Sequence, residues 1–417
     1  MTNDIYSPQT MNLVERHIIN KNHKFYIECD DLCWKSKNLY NSTLYITRQH
    51  FCSTGEYISC GDLYHKAKHL NEYKELPAKI SQQTIRMLDK NFKSFFRLIK
   101  KKSVKIKKRP PRYLDKIKGR CITIYNKQAI SKLYFKKTGH LKLSKTKILI
   151  NTQITDFNII KQVRIVPKIN HYVIEVVYTK ELDVLIQSNI IASIDPGLNN
   201  LATVAFNDMS ITPFIINGRP LKSINQYYNK KKSKLTSKIK KENNKYTSNA
   251  IQKLTNKRNR KVQDYLHKAS HLLVNQLVSS RVSKLVIGKN IGQKQDINIG
   301  KKNNQNFTCL PICNFLDMVS YKATLKGITV IFHEESYTSK ASFIDGDVIP
   351  TYGDTNIPKF SGRRIKRGLY KTNQGKIINA DLNGALNILK KAIPNGFNPD
   401  SIEGFVVSPM RLNILTA

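Results

Sequence analysis

The stretch NIIASIDPGLNNLATVAFN (189–207) contains two runs of apolar and β-branched residues separated by turn-forming Pro, Gly and Asn. Runs of this kind are typical of β-strands. The first run ends on Asp195, and the proline after it keeps that residue extended. The stretch therefore predicts two strands with a carboxylate at the tip of the first. Asp-Pro-Gly alone is a weak signal, because most such triplets are ordinary turns.

The sequence after this stretch predicts a mixed sheet with flanking helices. A third strand and a long helical stretch come first, then a fourth strand, a helix, a fifth strand, an irregular polar segment and a last helix. A meander followed by alternating helices and strands is a mixed α/β pattern, in which we expect the fourth strand between the first and the fifth. The runs are ITPFIING (211–218), KLVIG (284–288), CLPICNFLDMVSYKATLKG (309–327), ITVIFHEE (328–335) and NADLNGALNILKKA (379–392).

Upstream, residues 12–118 are predicted to be mainly helical, since apolar and aromatic residues recur there at helical spacing among Lys and Arg. The basic segment KIKKRPPRY (105–113) predicts a linker, either a nuclear localisation patch or an RNA contact. Short β-rich runs then predict a small barrel or sandwich. The helical positions are Leu39, Tyr45, Ile85, Leu88, Phe92 and Phe95, and the strand runs are CITIYN (121–126), KILI (147–150), KQVRIVPK (161–168) and HYVIEVVYTK (171–180).

Charge dominates the composition: 71 Lys and Arg stand against 29 Asp and Glu, a net charge of +42. Self-repulsion on this scale favours a polyanionic partner, and nucleic acid is the first candidate; a membrane surface is the alternative. Residues 222–261 carry 14 Lys or Arg and one acid, Glu242, which predicts a basic ridge on a helix pair. An apolar stripe through Leu266, Leu273 and Leu277 continues it. No apolar run approaches the ~20 residues of a membrane span, and no signal-peptide pattern is present, so we expect an intracellular protein.

Seven cysteines are present without a Cys-x-x-Cys pair, which argues against a disulfide framework and a zinc knuckle. Cys29/Cys33 and Cys309/Cys313 are each spaced for one face of a helix. We expect both pairs to act as small buried hydrophobes.

Three carboxylates are candidates for one site. Asp195 tips the first strand, Asp381 lies in the first turn of the last helix, and the fifth strand ends on two adjacent acids, Glu334 and Glu335. The fourth strand ends on Gly288 and offers no acid. Since adjacent strand tips are about 4.8 Å apart, one of the two glutamates can reach Asp195. Such a cluster in a basic groove would bind Mg²⁺ and hydrolyse a phosphodiester. An acid favoured by the helix dipole is the simpler explanation for Asp381.

Three segments of the chain are similar to known motifs: SIDPGLNN (193–200), KLVIGKN (284–290) and NADLNGALNI (379–388). They resemble the three RuvC motifs of TnpB proteins and of their eukaryotic and viral relatives, the Fanzor proteins. TnpB and Fanzor proteins are transposon-encoded RNA-guided DNA endonucleases. The resemblance extends to the N-terminal half and covers nearly the whole chain. Within the family, the chain most resembles the Fanzor (type 2-like) proteins. The further segments are KNLYN (37–41), LPAKISQQTIRMLDKNFKSFF (76–96), RYLDK (112–116) and VRIVPKINHYVIEVVY (163–178).

The chain departs from the family pattern at two places. Most TnpB proteins carry the second RuvC glutamate where this chain has Gly288, whereas Fanzor proteins and close relatives place a compensating acid two positions before the Tyr of YTS (337–339). That position is Glu335, with Glu334 as the alternative. The resemblance thus implies Asp195, Glu335 and Asp381 as catalytic, Mg²⁺-binding residues. The family's Cys-x-x-Cys zinc ribbon is missing from 338–378, so we expect no zinc.

The resemblance also implies a multidomain α+β architecture: a helical recognition domain inserted in a wedge-type β-barrel, followed by an RNase H-like RuvC nuclease domain. We expect the wedge at 1–35 and 120–186, the recognition domain at 36–119 and the nuclease domain at 187–417. Within the nuclease domain, residues 338–378 form an insert that binds target nucleic acid through arginines and lysines. These basic residues are Arg363, Arg364, Lys366 and Arg367.

The implied partners are a guide RNA from the transposon end and double-stranded target DNA with a short adjacent motif, with no membrane. We expect a nuclear location in a eukaryotic or viral host, otherwise cytoplasm or nucleoid. Two alternatives stay open: a catalytically inactive RNA-guided DNA-binding protein, and an RNA-independent transposase.

Overall fold

The computed structural model of the protein describes residues 10–101, 108–290, 298, 300, 304–305, 308–397 and 408–414. Residues 105–107 of the predicted basic linker lie outside these ranges. The chain divides into two units, Met1–Glu181 and Leu182–Ala417. No helix in the described part of the chain is long and apolar enough to cross a membrane.

Helices dominate the first half of the first unit, as predicted from the spacing of apolar residues. In the fourth helix, buried side chains recur every three or four residues at Ile85, Leu88 and Phe92, so one face packs inward. Leu39 is buried as well, whereas Tyr45 is exposed. The helices are α1 (Tyr26–Thr54), α2 (Cys60–Ala67), α3 (Asn71–Lys74), α4 (Ala78–Lys100) and, further along, α5 (Lys132–Thr138).

The prediction of helix from residue 12 is wrong for the first segment, because Thr10–Asn20 forms strand β1. Its side chains alternate between exposed and less exposed positions, the period of a strand. Two of the inward positions, Glu15 and His17, are polar, and this masks the alternation in the sequence. Glu15 accepts a hydrogen bond from Thr152 at 2.6 Å and contacts His17 Nε2 at 2.9 Å, so its carboxylate is satisfied.

The strands of the first unit form a four-stranded antiparallel sheet in the order β1-β6-β5-β2, with a separate hairpin of β3 and β4. Each of the four β-rich runs predicted upstream of residue 181 overlaps one of these strands. Among the described residues no ladder joins β1 to β2, and barrel closure stays a prediction. The strands are β2 (Thr123–Asn126), β3 (His140–Lys142), β4 (Leu149–Asn151), β5 (Ile160–Lys168) and β6 (His171–Glu181).

A six-stranded mixed sheet organises the second unit, in the order β11-β10-β7-β8-β9-β15. The predicted neighbours are confirmed: β10 lies between β7 and β11 and runs parallel to both. The sixth strand was not predicted. The strands are β7 (Ile191–Asp195), β8 (Asn200–Phe206), β9 (Phe214–Asn217), β10 (Lys284–Gly288), β11 (Thr329–His333) and, at the far edge, β15 (Met410–Leu412).

Helices cover both faces of this sheet. On one face Ile194 of β7 shares a core with Leu266 of α7 and Phe315 of α8. On the other face Val286 of β10 packs with Leu389 of α9. Leu266, Leu273 and Leu277 are all buried, which confirms the predicted apolar stripe. The helices are α6 (Arg219–Asn243), α7 (Asn249–Ser279), α8 (Ile312–Leu325) and α9 (Ala380–Ala392).

The polar segment before α9 contains a three-stranded antiparallel sheet that the sequence did not predict, in the order β12-β13-β14. Tyr370 is its buried centre, and its hydroxyl donates to the Lys340 carbonyl at 2.7 Å. The strands are β12 (Arg363–Lys366), β13 (Leu369–Lys371) and β14 (Ile377–Asn379). The proposed domain boundaries stay predictions.

The two cysteine pairs differ. Cys29 and Cys33 are fully buried on α1, as expected of small hydrophobes. Cys309 precedes α8 and Cys313 is exposed on it, so the expectation of a shared buried face is wrong for this pair. Pro311 separates the two cysteines and α8 begins only at Ile312, which breaks the helical spacing.

Candidate active site

Asp195 is the last residue of β7, in register with Thr203 of β8. Side chains alternate along a strand, so Asp195 faces the same side as Ser193. The Ser193 hydroxyl donates to the Ala385 carbonyl of α9 at 2.6 Å, which fixes this face of β7 against the helix. Asp195 is therefore directed towards α9.

Gly384 provides the space that Asp195 occupies. A β-carbon at residue 384 would lie 2.8 Å from Oδ2 of Asp195, too close for a carbon–oxygen contact. Gly384 is fully enclosed in the middle of α9, where glycine costs about 0.5–1 kcal/mol relative to alanine. Glycine is nevertheless required here, because it lets α9 pack directly against the Asp195 carboxylate.

Gly288 likewise provides the space that the Glu335 carboxylate occupies. Gly288 ends β10 and pairs with His333 of β11, two residues before Glu335. A β-carbon at 288 would lie 2.6 Å from Oε2 of Glu335, 2.7 Å from Cδ1 of Ile388 and 3.3 Å from the Ile194 carbonyl oxygen. The Glu335 carboxylate thus lies over the end of β10, at the place from which a side chain on residue 288 would project.

The backbone around Glu335 is fixed by its neighbours. Its amide donates to Oδ1 of Asn290 at 3.0 Å, and its carbonyl accepts from the Thr338 hydroxyl at 2.8 Å. Asn290 lies just beyond the tip of β10, so the loops after β10 and β11 are joined beside the carboxylate.

Glu334 points elsewhere, to Lys391 of α9. Its second oxygen accepts from the Ser336 amide at 2.7 Å, while Lys391 also donates to the carbonyls of Ser336 and Pro350. Burial raises the pKa of Glu334, but the Lys391 and Ser336 hydrogen bonds outweigh it and the pKa is lowered. Glu334 therefore holds a nearly buried lysine, and Glu335 is the acid directed to Asp195.

Asp381 lies in the first turn of α9, behind an Asn379 cap whose side chain accepts from the amides of Asp381 and Leu382. Its Oδ2 accepts from Asn200 Nδ2 at 2.7 Å, and its Oδ1 contacts Nη2 of Arg364 at 3.2 Å. Asn200 begins β8 and Arg364 belongs to β12, so the carboxylate is oriented from two directions.

The three carboxylates influence one another. Burial raises the pKa of Asp195 well above its ordinary value, and the charges of Glu335 and Asp381 raise it further, while Arg364 lowers it. Repulsion of this kind is the electrostatic signature of acids gathered around one point. The structure thus brings together the three residues selected from the sequence.

Two buried asparagines of α9 brace the loop after Glu335. Asn383 accepts from the Phe343 amide at 3.0 Å and donates to the Ala341 carbonyl at 2.7 Å. Asn387 donates to the carbonyls of Thr338 and Ala341 at 2.9 and 2.7 Å. The helix that carries Asp381 is thereby tied to the segment that carries Glu335.

The donor set suits a hard divalent cation, which takes carboxylate oxygens. Within the described residues, however, no three His, Cys, Asp or Glu side chains already form a metal-ready group. Asp381 has both oxygens engaged by Asn200 and Arg364. The glycine-cleared spaces at Gly288 and Gly384 fit a site that concentrates negative charge, and Arg364 supplies the compensating positive charge.

Sequence reasoning missed the support of this site. Asn200 and Asn290 are the last residues of SIDPGLNN and KLVIGKN, and neither had an assigned role. Gly384 is one of the small residues of NADLNGALNI, which predict close packing of that helix on a sheet but not contact with a carboxylate. Arg364 was expected to contact nucleic acid; the structure places its guanidinium on Asp381.

The predicted basic ridge is the helix pair α6 and α7. Aromatic rings lie among its cations: Lys231 stands 5.9 Å from the Tyr227 ring centroid, and the Arg258 guanidinium lies 4.6 Å from that of Tyr228. Such interleaving of cations and aromatics is typical of surfaces that contact nucleic acid.

Two family models match parts of this chain. Residues 172–293 match OrfB_IS605, described as a probable transposase, and residues 313–388 match the Cas12f1-like TNB domain. The first match includes Asp195 and Gly288, and the second includes Glu335 and Asp381. Together they support a relationship to TnpB-like and Cas12f-like proteins. No curated protein sequence matches the chain.

Among solved structures, a Cas12f1–sgRNA–target DNA complex contains a similar chain, with a TM-score of 0.54 and 15% identity over 90% of this chain and 82% of that one. The mini-RNA-guided endonuclease CRISPR-Cas_phi3 matches with a TM-score of 0.43 and 10% identity over 96% and 94%. The first likeness shows a shared multidomain α+β fold with a mixed sheet.

Proposed function

We propose that this protein is an RNA-guided DNA endonuclease that hydrolyses phosphodiester bonds with Mg²⁺ at a single RuvC-type, RNase H-like site. The observation that carries the proposal is the convergence of Asp195, Glu335 and Asp381, two of them seated in spaces cleared by glycine. Ordinary surface acids do not need such space, because their carboxylates extend into water.

Asp195, Glu335 and Asp381 would hold the metal. Bound Mg²⁺ supplies activation of water and stabilisation of the leaving oxygen of a phosphodiester. The protein's own part is to fix the ligands: Asn290 positions the Glu335 backbone and Asn200 orients Asp381. Burial is the main cause of the raised pKa of Asp195, and a cation among the three acids would remove the repulsion from Glu335 and Asp381 that adds to it.

Arg364 would change partners during this process. In the present state it neutralises Asp381, a role that a metal ion would take over. A guanidinium released at that point lies beside the metal-binding acids, where a substrate phosphate would be its natural partner.

The nucleic-acid partners are inferred from charge and from the relatives. The net charge of +42 and the basic α6–α7 pair suit a polyanion. The similar solved chain was captured with a single guide RNA and target DNA. We extend this to a guide RNA that pairs with a target strand while the protein reads a short adjacent motif. A Fanzor (type 2-like) identity, a guide from the transposon end, and nuclear location in a eukaryotic or viral host belong to the same proposal.

One alternative has a specific observation in its favour. The matching model for residues 172–293 is described as a probable transposase, and strand-joining enzymes also gather acids on such sheets. An RNA-independent transposase would act on transposon ends without a guide. A catalytically inactive RNA-guided binding protein, suggested by the missing acid at Gly288, would bind the target and leave it intact.

The test is a cleavage assay on the full chain with its co-purified RNA, sequenced in parallel. We expect Mg²⁺-dependent cutting of DNA complementary to that RNA, with Asp195→Ala and Asp381→Ala below about a hundredth of the wild-type rate and RNA binding unchanged. Asp317→Ala, which removes an exposed acid of α8 in the same unit, is the matched control and should cut normally. Strand joining without RNA, or guided binding without cutting, would replace the proposal by the corresponding alternative.

A further inference from the structure

A cavity of about 290 Å³ opens between α6 and α7, within the basic ridge. Its lining includes two adjacent tyrosines of α6, Tyr227 and Tyr228, and three cationic residues of α7, Lys257, Arg258 and Lys261. None of its lining residues is acidic. The cavity thus combines aromatic rings with positive charge.

Tyr228 is the fixed wall of this cavity. It is buried, its hydroxyl forms a 3.0 Å hydrogen bond with Thr255, and Arg258 stacks on its ring. The stacking holds the Arg258 guanidinium in one orientation. Nε of Arg258 is shielded from solvent and has no hydrogen-bond partner among the residues that the structure describes. Arg258 therefore presents its positive charge at the cavity wall.

Tyr227 differs from its neighbour because its ring is 62% exposed. The ammonium group of Lys231 lies 5.9 Å from the centroid of this ring. An exposed aromatic face bordered by a cation offers a stacking platform to a planar, electron-rich group carried on an anion.

The charges around the cavity select the ligand. Lys257 and Lys261 are four residues apart and therefore lie on the same side of α7. Glu242, the one acid between residues 222 and 261, contacts Lys238 at 3.8 Å, away from the cavity-lining residues. The cavity therefore offers an aromatic ring for stacking, a guanidinium group and two ammonium groups. This combination suits a nucleobase together with its backbone phosphates.

We propose that this cavity binds one unpaired nucleotide of a single-stranded nucleic acid. The base stacks on Tyr227, a base or phosphate oxygen accepts from Arg258, and the flanking phosphates contact Lys257 and Lys261. A paired base is excluded because both of its faces are covered by its neighbours in the duplex. The site makes no use of the carboxylates, so it can be tested in the absence of metal and independently of cleavage.

The test measures binding of the full-length protein, freed of co-purified nucleic acid, to fluorescent 12-nucleotide oligo(U), oligo(dT) and a 12-base-pair duplex in EDTA. We expect Tyr227→Ala to weaken binding of at least one single strand about 5- to 100-fold, the range for loss of one base stack, and to leave duplex binding unchanged. Tyr227→Phe keeps the ring and should bind as the wild type. The strand that loses more identifies RNA or DNA as the source.

Tyr246 is the matched control, since it is also 62% exposed, follows α6 directly and lies near Lys240, but does not line the cavity. Tyr246→Ala should weaken single-strand binding less than Tyr227→Ala does, and by the same factor for single strands and duplex. Lys257→Gln should reduce the slope of log affinity against log salt concentration by about one for single strands. In this variant, Tyr227→Ala should still weaken single-strand binding. Equal losses in the two alanine variants, an equal loss on the duplex, or an equal loss with polyglutamate as the ligand would overturn the proposal.

Discussion

The Glu335 carboxylate occupies the place that a side chain on Gly288 would fill, since a β-carbon there would lie 2.6 Å from Oε2 of Glu335. The glycine at the end of β10 and the acid after β11 are therefore spatially linked. A carboxylate thus reaches the end of β10 from a residue 47 positions further along the chain (335 − 288).

This relationship predicts coupling between residues 288 and 335. Gly288→Ala should destabilise the wild-type protein by about 1–3 kcal/mol through overpacking. In a Glu335→Ala background the same change should cost less, because the closest of its contacts, Oε2 of Glu335 at 2.6 Å, is gone. Urea unfolding of the four proteins measures the interaction; strictly additive free energies would contradict it.

The effect of Gly384→Ala on stability should change sign between the wild type and an Asp195→Ala background. In the wild type, Gly384→Ala should reduce cleavage and stability, because the new methyl group meets Asp195 Oδ2 at 2.8 Å. In an Asp195→Ala background no other described atom outside the adjoining turns of α9 lies within 4 Å of that β-carbon. The higher helix propensity of alanine should then stabilise the protein by about 0.5–1 kcal/mol. Thermal unfolding of both pairs checks this, and destabilisation in both backgrounds would refute it.

The adjacent glutamates should separate by phenotype. Glu335→Gln should abolish cleavage with little loss of stability. Glu334→Gln should keep cleavage but lower the free energy of unfolding by about 1–3 kcal/mol, because Lys391, 9% exposed, loses its charged partner. Lys391→Met added to Glu334→Gln should recover part of that loss. The reverse pattern of activities would move the metal-ligand assignment to Glu334.

Arg364 should compete with divalent cations for Asp381. With nucleic acid removed, Arg364→Gln should tighten Mg²⁺ or Mn²⁺ binding about 2- to 5-fold, since a partly exposed ion pair contributes about 0.5–1 kcal/mol. Titration calorimetry measures this without reference to cleavage. Arg363→Gln, at the exposed neighbouring position of β12, is the control for loss of one positive charge and should change the affinity less.

The first unit should lose one stabilising contact in acid. Hydrogen bonds from Arg120, at 2.8 Å to each oxygen, lower the pKa of Asp30 despite its partial burial, and Tyr172 adds another. The contribution is present above the unfolded pKa, near 3.8, and disappears as the pH falls through the lower folded value.

Asp30→Asn should therefore cost about 1 kcal/mol at pH 7, a modest value because the Asp30 side chain is 36% exposed. The difference from the wild type should shrink below about pH 4, as measured by urea unfolding across pH. The exposed acid Glu56, changed to Gln, is the control. A difference that is constant with pH would rule out the ionic origin.

Most of the mixed sheet could be predicted because its strands are short apolar runs closed by turn residues, and their order follows from the connections. Strand β1 escaped because Glu15 and His17 occupy inward positions. The insert strands escaped because all four residues of β12 are exposed and carry no alternation. The edge strand β15 has only three residues, too few for a pattern.

At the site, Asp195 and Asp381 could be located from local rules, a proline-fixed strand end and a capped helix start. Glu335 could not be chosen over Glu334 by strand period, because both faces of the run before them are apolar. The two glutamates are distinguished by Lys391, 57 residues after Glu334, together with the space at Gly288. These contacts depend on how α9 crosses the sheet, which no local pattern contains.

The asparagine pair of α9 makes one stretch of the chain exchangeable. Asn383 and Asn387 hold the segment from Thr338 to Phe343, and Asp381 lies in the first turn of the same helix. Residues 351–359 are all exposed. That loop is thus a suitable insertion point for a foreign peptide or a fused domain in the second unit, because the asparagine contacts of α9 lie outside it.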